Sequence, residues 1–205
     1  MTAALPTVES ATLDPDHPDH ALTAALADTL HGLADHHPPA DLEATAGTPA
    51  RWVKALREMT AGYAEDPRSV LARDFNVPHA DEMIAVTGID FTSICAHHLL
   101  PFTGTATVAY LPAGPRVVGL SKLARLVDTY SRRLQTQEQI TVQVTTALDE
   151  HLTTKGSACV LRATHSCLAH RGARKPSAVM VTSSLTGRFR DDARARGEFL
   201  ALTRP

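Results

Sequence analysis

The sequence is poor in cysteine and in aromatic residues. It has three cysteines among 205 residues, and Phe, Trp and Tyr together make up 4% of the chain. A small, odd number of cysteines argues against a disulfide framework and favours a reducing, cytoplasmic compartment. Because aromatic side chains are few, Val, Ile, Leu and Ala must do the packing. The hydrophobic fraction of 43% is enough for a core.

The sequence also lacks the marks of a membrane, secreted or nucleic-acid-binding protein. It has no apolar run of about 18 residues. The first residues do not combine a basic segment with an apolar run, so we expect no secretory signal. The formal net charge is −2, which gives no general attraction to nucleic acid or to an anionic membrane. We therefore expect neither as a partner.

Apolar periodicity predicts an α+β domain after an N-terminal arm. Residues 1–47 are predicted to be an arm that is partly disordered and carries one helix at 20–36. Residues 48–205 are predicted to be the main domain, and Thr48-Pro49 opens its first helix. Its later strands are predicted at 82–92, 104–111, 157–164 and 177–184, and its helices at 122–133, 136–152 and 191–202. That order predicts an antiparallel sheet with helices on one face.

Two short segments concentrate the residues that could bind a metal. Cys95-Ala96-His97-His98 is followed about seventy residues later by Thr164-His165-Ser166-Cys167. Thiolate and imidazole are ligand types that zinc prefers. We predict that Cys95, His98 and Cys167 bind one zinc ion. Three protein ligands would leave the fourth position for water, which is the pattern of a catalytic site.

The remaining cysteine and the remaining histidines of these segments have different predicted roles. Cys159 lies in an apolar strand with no histidine nearby and is assigned to the core. His97 and His165 would lie beside the metal, and histidine is the usual proton carrier near neutral pH. A zinc-bound water with two proton carriers describes a hydrolytic site. The alternative for His97 is that it orients a metal ligand.

Basic residues in the same half of the chain could bind a polyphosphate. Ser121 is predicted to cap the helix at 122–133, where Lys122 and Arg125 share one face and free N–H groups favour anions. Arg171, Arg174 and Lys175 add further positive charge. The alternative is an ordinary solvated helix face. Glu138 could accept two hydrogen bonds from the edge of guanine, or it could simply complement a helix dipole.

From about Thr48 to Leu202 the chain resembles GTP cyclohydrolase I. The matching segments are Thr48-Pro49-Ala50-Arg51, CAHHLLPFTGTATVAYLP (95–112), VVGLSKLARLVDTYSRRLQTQEQIT (117–141), ATHSCLAHRG (163–172) and TSSLTGRFRDD (182–192). The resemblance implies a T-fold, in which subunits join their antiparallel sheets, each with two helices on one face, into an oligomeric barrel. It also implies a homodecamer of two stacked pentamers with active sites at subunit interfaces.

The resemblance also implies roles for individual residues. Cys95, His98 and Cys167 correspond to the zinc ligands, and His97 and His165 to catalytic histidines. Glu138, with Gln137 beside it, corresponds to the acid that recognises guanine. The groups expected around the ribose and triphosphate are Ser121, which we count as catalytic, and Lys122, Arg125, Arg171 and Arg51. The implied reaction converts GTP and water to 7,8-dihydroneopterin triphosphate and formate, as in pterin and tetrahydrofolate biosynthesis.

Ala96 is the position at which the chain departs from the family pattern, which usually has Glu between the cysteine and the histidine pair. This departure leaves two alternatives open. One is a diverged paralogue that opens the guanine ring of GTP but stops at a formamidopyrimidine or diaminopyrimidine. The other is a catalytically silent, zinc-stabilised nucleotide-binding oligomer. Retention of every proposed ligand and of both histidines argues against the silent alternative.

Overall fold

A computed structural model describes residues 16–34, 45 and 47–203. The chain divides into two compact units, Met1–Glu58 and Met59–Pro205. Much of the predicted arm, at residues 1–15, 35–44 and 46, lies outside the described residues. The predicted division of the chain at residue 48 stays a prediction.

The first unit is helical in its described part. Helix α1 spans His20–Ala34, close to the predicted range, and helix α2 spans Thr48–Met59 at the boundary of the units. Near the start of α1, Asp19 accepts two hydrogen bonds from the guanidinium of Arg57, at 2.7 and 2.9 Å. Arg57 is largely exposed, so this ion pair contributes little to stability.

The second unit contains a five-stranded sheet in the order β5-β2-β3-β6-β7. In chain order its elements are a 3-10 helix (Ala61–Ala64), α3 (Pro67–Leu71), β1 (Asp74–Asn76), β2 (Ile84–Cys95), β3 (Pro101–Pro112), β4 (Arg116–Val118), α4 (Leu120–Ser131), β5 (Leu134–Gln135), α5 (Gln137–His151), β6 (Thr154–His165), α6 (Ser166–Ala169), β7 (Met180–Leu185), α7 (Gly187–Asp191) and α8 (Ala193–Leu202). Strands β2, β3, β6 and β7 are antiparallel neighbours, which confirms the predicted α+β sheet.

The sequence did not predict the pairing of β5, the small sheet formed by β1 and β4, or the full length of β2 and β3. The two-residue strand β5 pairs with β2 in parallel, and β1 pairs with β4 in a separate small sheet. Strands β2 and β3 are also longer than predicted. Strand β3 begins at Pro101, where the missing N–H of proline is tolerated because it is the first residue of the strand.

The main core lies between one face of the sheet and helices α4 and α5. Side chains at alternate positions of a strand point to the same face, and Val108 and Tyr110 of β3 both belong to this core. The helices contribute completely buried residues at helical spacing: Leu123, Leu126 and Val127 from α4, and Ile140, Val144 and Leu148 from α5. Cys159 is also completely buried here, which confirms its assignment to the core.

The opposite face of the sheet is covered at one end by the C-terminal helices. Ala109 and Leu111, the other alternating pair on β3, pack in a second cluster with Phe189 of α7 and Phe199 of α8. The two phenyl rings meet edge to face, with centroids 5.4 Å apart. The two long helices are therefore on one face, as predicted, and two short ones partly close the other.

The starts of α4 and α5 differ in how their free N–H groups are satisfied. Thr136 caps α5, and its hydroxyl accepts a hydrogen bond from the N–H of Gln139 at 3.4 Å. The predicted cap of α4 was wrong: the N-cap is Gly119, which has no side chain to accept a bond, and Ser121 lies inside the first turn. Apolar periodicity gives the face of a helix more reliably than its first residue.

Gly104 of β3 allows close approach of the neighbouring strand β6. A Cβ atom at this position would overlap the carbonyl oxygen of Arg162 and would lie 2.6 Å from Cα of Ala163. We expect Gly104→Ala to lower the free energy of unfolding by about 2–3 kcal/mol, because backbone atoms must move to make room. Gly114→Ala is the matched control, since a Cβ there meets no atom within 4 Å. Chemical denaturation at fixed protein concentration measures both, and equal stability of the two variants would contradict the expectation.

None of the helices in the described part of the chain has the length and apolar character of a membrane span.

Candidate metal and nucleotide site

A tight turn between β2 and β3 brings Cys95 and His98 together. Cys95 is the last residue of β2, and its backbone N–H donates to the carbonyl of Leu100 at 2.9 Å. The N–H groups of His98 and Leu99 both donate to the carbonyl of Cys95. Leu99 has φ of 53°, the left-handed conformation that closes the turn. As a result, Sγ of Cys95 lies 3.7 Å from Nδ1 of His98.

Cys167 reaches the same place from β6. This strand runs antiparallel to β3, and His165 at its end pairs with Phe102 near the start of β3. The chain then enters the short helix α6, which contains Cys167. The ligand atoms of Cys95, His98 and Cys167 all lie within 4.8 Å of one another. The structure therefore brings together the three residues predicted as metal ligands.

The donor set and spacing of this Cys–His–Cys group fit a zinc ion. In a tetrahedral site, bonds of about 2.3 Å to sulfur and about 2.0–2.1 Å to nitrogen place ligand atoms about 3.5–3.8 Å apart. The separation between Cys95 and His98 is already in that range. Cys95 is buried, Cys167 partly buried and His98 exposed, so the group is open on one side.

The surroundings of Cys167 raise the pKa of its thiol. Burial raises the pKa of Cys167, and the neighbouring Cys95 raises it further. The nearby charge of Arg171 acts weakly in the opposite direction. A bound divalent cation would reverse the main effect, because a coordinated thiol loses its proton.

His165, two residues before Cys167, is held in place by Phe102 and Gln137. Its ring stacks on the Phe102 ring with centroids 4.4 Å apart and an angle of 5° between the planes. Its Nε2 lies 2.9 Å from Oε1 of Gln137. Burial lowers the pKa of His165, while the carboxylate of Glu138 acts in the opposite direction. The net shift of the pKa is downward, which favours the neutral form of the ring.

Gln137 and Glu138 are neighbours at the start of α5 but occupy different environments. Gln137 is completely buried, and its side chain bonds to protein groups on β6 and β7 as well as to His165. This differs from the substrate contact predicted for it. Glu138 is exposed, and its charge is close enough to influence His165. The carboxylate is thus available to a ligand at the same place as the histidine.

The other predicted site residues have fewer described contacts with the Cys–His–Cys group. His97 is exposed in the turn, and its ring meets that of His98 edge to face at 6.2 Å. Ser121, Lys122 and Arg125 lie in the first turns of α4, and none of the described contacts joins them to the Cys–His–Cys group. In the first unit, exposed Arg51 donates a hydrogen bond to the hydroxyl of Thr48 at 3.1 Å.

Sequence comparison identifies the family of the chain. The family model described as GTP cyclohydrolase I matches residues 24–204. The chain belongs to the GTP cyclohydrolase I family.

Three relatives, each named GTP cyclohydrolase 1 (the third "1 2"), extend this result. The Alkalilimnicola ehrlichii protein is 47% identical over 164 residues, 80% of this chain and 88% of the relative. The Wolinella succinogenes protein is 45% identical over 79% of this chain and 86% of the relative. The Nostoc sp. protein is 41% identical over 100% of this chain and 91% of the relative.

A solved structure gives a weaker likeness. The crystal structure of the archaeosine synthase QueF-Like in the apo form matches 51% of this chain and 93% of its own, with a TM-score of 0.42 and 13% identity. The family assignment does not depend on it.

Sequence reasoning missed the contact between Phe102 and His165. Phe102 lies only four residues after His98, inside a segment already singled out, but an apolar side chain gave no sign of a role beside a histidine. Its stacking on His165 depends on the register between β3 and β6, which the sequence did not supply. Pairing the predicted strands 104–111 and 157–164 by their ends puts residue 104 opposite residue 164, one position away from the observed pairing of Gly104 with Ala163.

Proposed function

We propose that this chain is a zinc-dependent GTP cyclohydrolase I that converts GTP and water to 7,8-dihydroneopterin triphosphate and formate. The observation that supports the proposal is the close approach of Cys95, His98 and Cys167, together with His165 held by Phe102 and Gln137 two residues before Cys167. Membership of the GTP cyclohydrolase I family supports GTP as the substrate of this site. Neither a lone thiol pair nor a lone histidine would support the same conclusion.

Cys95, His98 and Cys167 would hold the zinc ion. Zinc, when bound by three protein ligands, supplies a Lewis acid that makes water nucleophilic near neutral pH. The exposed side of the group, at His98, is where a substrate can approach. Burial of Cys95 keeps the other side closed to solvent.

His165 and His97 would move protons during opening of the imidazole ring of guanine and closure of the new ring of the pterin. His165 is suited to accept a proton because burial favours its neutral form and stacking on Phe102 fixes its ring. His97 is exposed in the turn next to His98 and can exchange protons with solvent. Glu138 would accept hydrogen bonds from the N–H and NH2 groups of guanine, which places the base beside His165.

The triphosphate would be bound by basic residues from more than one subunit. The proposed phosphate ligands are Lys122, Arg125, Arg171 and Arg51, with the hydroxyl of Ser121 near the ribose. Charged hydrogen bonds from guanidinium groups to phosphate are short and directional, which suits a ligand with four negative charges.

We also propose that the protein is a homo-oligomer, a decamer of two pentamers. Within the described chain, β7 pairs on one side only, with β6, and its residue Val181 and the preceding Val179 are 51% exposed. An open edge with exposed apolar residues is unfavourable for a monomer. We expect light scattering to give about ten times the mass of one chain at micromolar concentration. A monomer with full activity would contradict the proposal.

Incubation of purified zinc-loaded protein with GTP, followed by mass spectrometry over time, tests the proposed reaction. We expect formate and dihydroneopterin triphosphate in equal amounts. Accumulation of a formamidopyrimidine would instead support the diverged paralogue, and intact GTP would support the silent oligomer. The Ala96→Glu variant restores the family residue in the turn. If it alone completes the reaction, position 96 is the cause of the difference.

A further inference from the structure

The side-chain amide of Gln137 is completely buried, and protein groups surround it. Its nitrogen lies 3.1 Å from each of three oxygens: the carbonyls of Leu161 on β6 and Met180 on β7, and the hydroxyl of Thr182. Its oxygen lies 2.9 Å from Nε2 of His165. One side chain at the start of α5 therefore connects two strands with a histidine of the proposed active site.

These partners allow only one orientation of the amide. The carbonyl oxygens of Leu161 and Met180 can only accept hydrogen bonds, so the group that faces them must be the NH2. A flipped amide would point its oxygen at two other oxygens in a completely buried place. Leaving buried polar groups without partners costs about 1–3 kcal/mol each. Oε1 of Gln137 therefore faces His165.

The orientation of the amide fixes the proton of the histidine. Oε1 of Gln137 can only accept, so the 2.9 Å contact is a hydrogen bond only if Nε2 of His165 carries a proton. In the neutral ring, a proton on Nε2 leaves Nδ1 without one. None of the hydrogen bonds among the described residues involves Nδ1 of His165.

We propose that Gln137 is a positioning residue that holds His165 in the Nε2–H tautomer, which leaves Nδ1 as the ring nitrogen with the free lone pair. The inference rests on the proposed function only in treating His165 as a proton carrier. It replaces direct recognition of guanine by Gln137, because a completely buried amide with every polar atom engaged has nothing to offer a nucleotide.

Stacking on Phe102 completes the arrangement. The two rings are nearly parallel at 4.4 Å, so one face of the imidazole is covered. Rotation of the ring by a half turn would break the bond to Gln137 and exchange the positions of carbon and nitrogen atoms. Gln137 thus selects the tautomer, and Phe102 and Gln137 together fix the direction in which Nδ1 points.

Nitrogen NMR of the full-length protein tests the tautomer directly. Histidine labelled with 15N in both ring positions distinguishes protonated from unprotonated nitrogen by chemical shift, and magic-angle spinning suits a large oligomer. The His165 signals are assigned by their loss in His165→Asn. In the native protein we expect Nε2 protonated and Nδ1 unprotonated. The opposite pattern would overturn the proposal whatever the activity of the protein.

Two variants separate positioning from mere packing. Gln137→Met keeps the size of the side chain but removes the acceptor, so we expect a mixture of tautomers at His165. Thr182→Val is the matched control: it removes one of three acceptors of the Gln137 NH2 and leaves both carbonyls, so the tautomer should not change. A change in Thr182→Val equal to that in Gln137→Met would overturn the proposal.

Kinetics with GTP give an independent readout. We expect Gln137→Met to lower kcat by about 100-fold, the lower range for loss of acid–base catalysis, with KM changed less than about twofold. A large rise in KM at unchanged kcat would instead show contact with substrate and would overturn the proposal. If Gln137→Met does not fold, the native spectrum and Thr182→Val still decide. If no variant or native protein turns over GTP, the proposed function fails while the tautomer is still measured.

Discussion

Cys167→Ser is expected to remove zinc and activity together. Serine retains the size of the side chain but replaces a thiolate, which zinc prefers, by a hydroxyl that stays protonated near neutral pH. Even residues that only support a metal ligand change affinity or activity by about 10–100-fold, so we expect turnover of GTP to fall by more than about 100-fold. Metal analysis of the dialysed protein and a formate assay measure the two effects.

Cys159→Ala is the matched control for this experiment. Cys159 lies on β6, the strand that leads to Cys167, but it is completely buried and burial raises its pKa far above the ordinary value. It therefore remains a neutral thiol in the core. We expect this variant to be less stable by about 1 kcal/mol, as for a small cavity, with normal zinc content and turnover. Full zinc and full turnover in Cys167→Ser would remove this residue from the proposed site.

Glu138→Gln is expected to abolish selection of guanine while leaving zinc in place. The amide cannot accept two hydrogen bonds from the N–H and NH2 groups of the base, and the lost bonds involve a charged acceptor worth about 1.5–3 kcal/mol each. We therefore expect kcat/KM for GTP to fall by at least about 100-fold. The native protein should prefer GTP to ITP, which lacks the 2-amino group, and this preference should disappear in the variant.

Glu150→Gln provides the comparison for Glu138→Gln, because it removes the same charge from an exposed position near the other end of α5. It should leave kcat/KM and the preference for GTP unchanged. If Glu138→Gln behaves in the same way, Glu138 only complements the helix dipole, a role worth about 0.3–1 kcal/mol of stability. Melting temperatures of both variants would show that contribution.

Side-chain type and short spacing were enough to predict the metal group but not the surroundings of His165. Cys95 and His98 are three residues apart, so any tight turn brings them together, and the second pair of residues then identifies Cys167. Gln137 is different because two of its partners are backbone carbonyls on strands 24 and 43 residues away. Every residue has a carbonyl, so the sequence contains no mark of such a contact.

The prediction of the fold likewise succeeded for long elements and failed for short ones. The strands and helices could be predicted because apolar periodicity over eight or more residues is a strong signal. Strand β5 has two residues and pairs in parallel, which no pattern of that length could predict. The start of α4 was misplaced because Ser121 has the chemistry of a cap, whereas Gly119 has the backbone position.

The placement of the three proposed ligands has a consequence for folding. Cys95 and His98 belong to one turn, so binding a metal with these two closes a very short loop at little entropic cost. Bonding the same ion to Cys167 closes a loop of about seventy residues, and long loops lose the most freedom when they are closed. The ion would then link an early and a late part of the chain. It would be bound first by Cys95 and His98 in the turn and last by Cys167 in α6. Hydrogen exchange should accordingly report the first loosening on chelation at residues 166–169, before the β2–β3 turn.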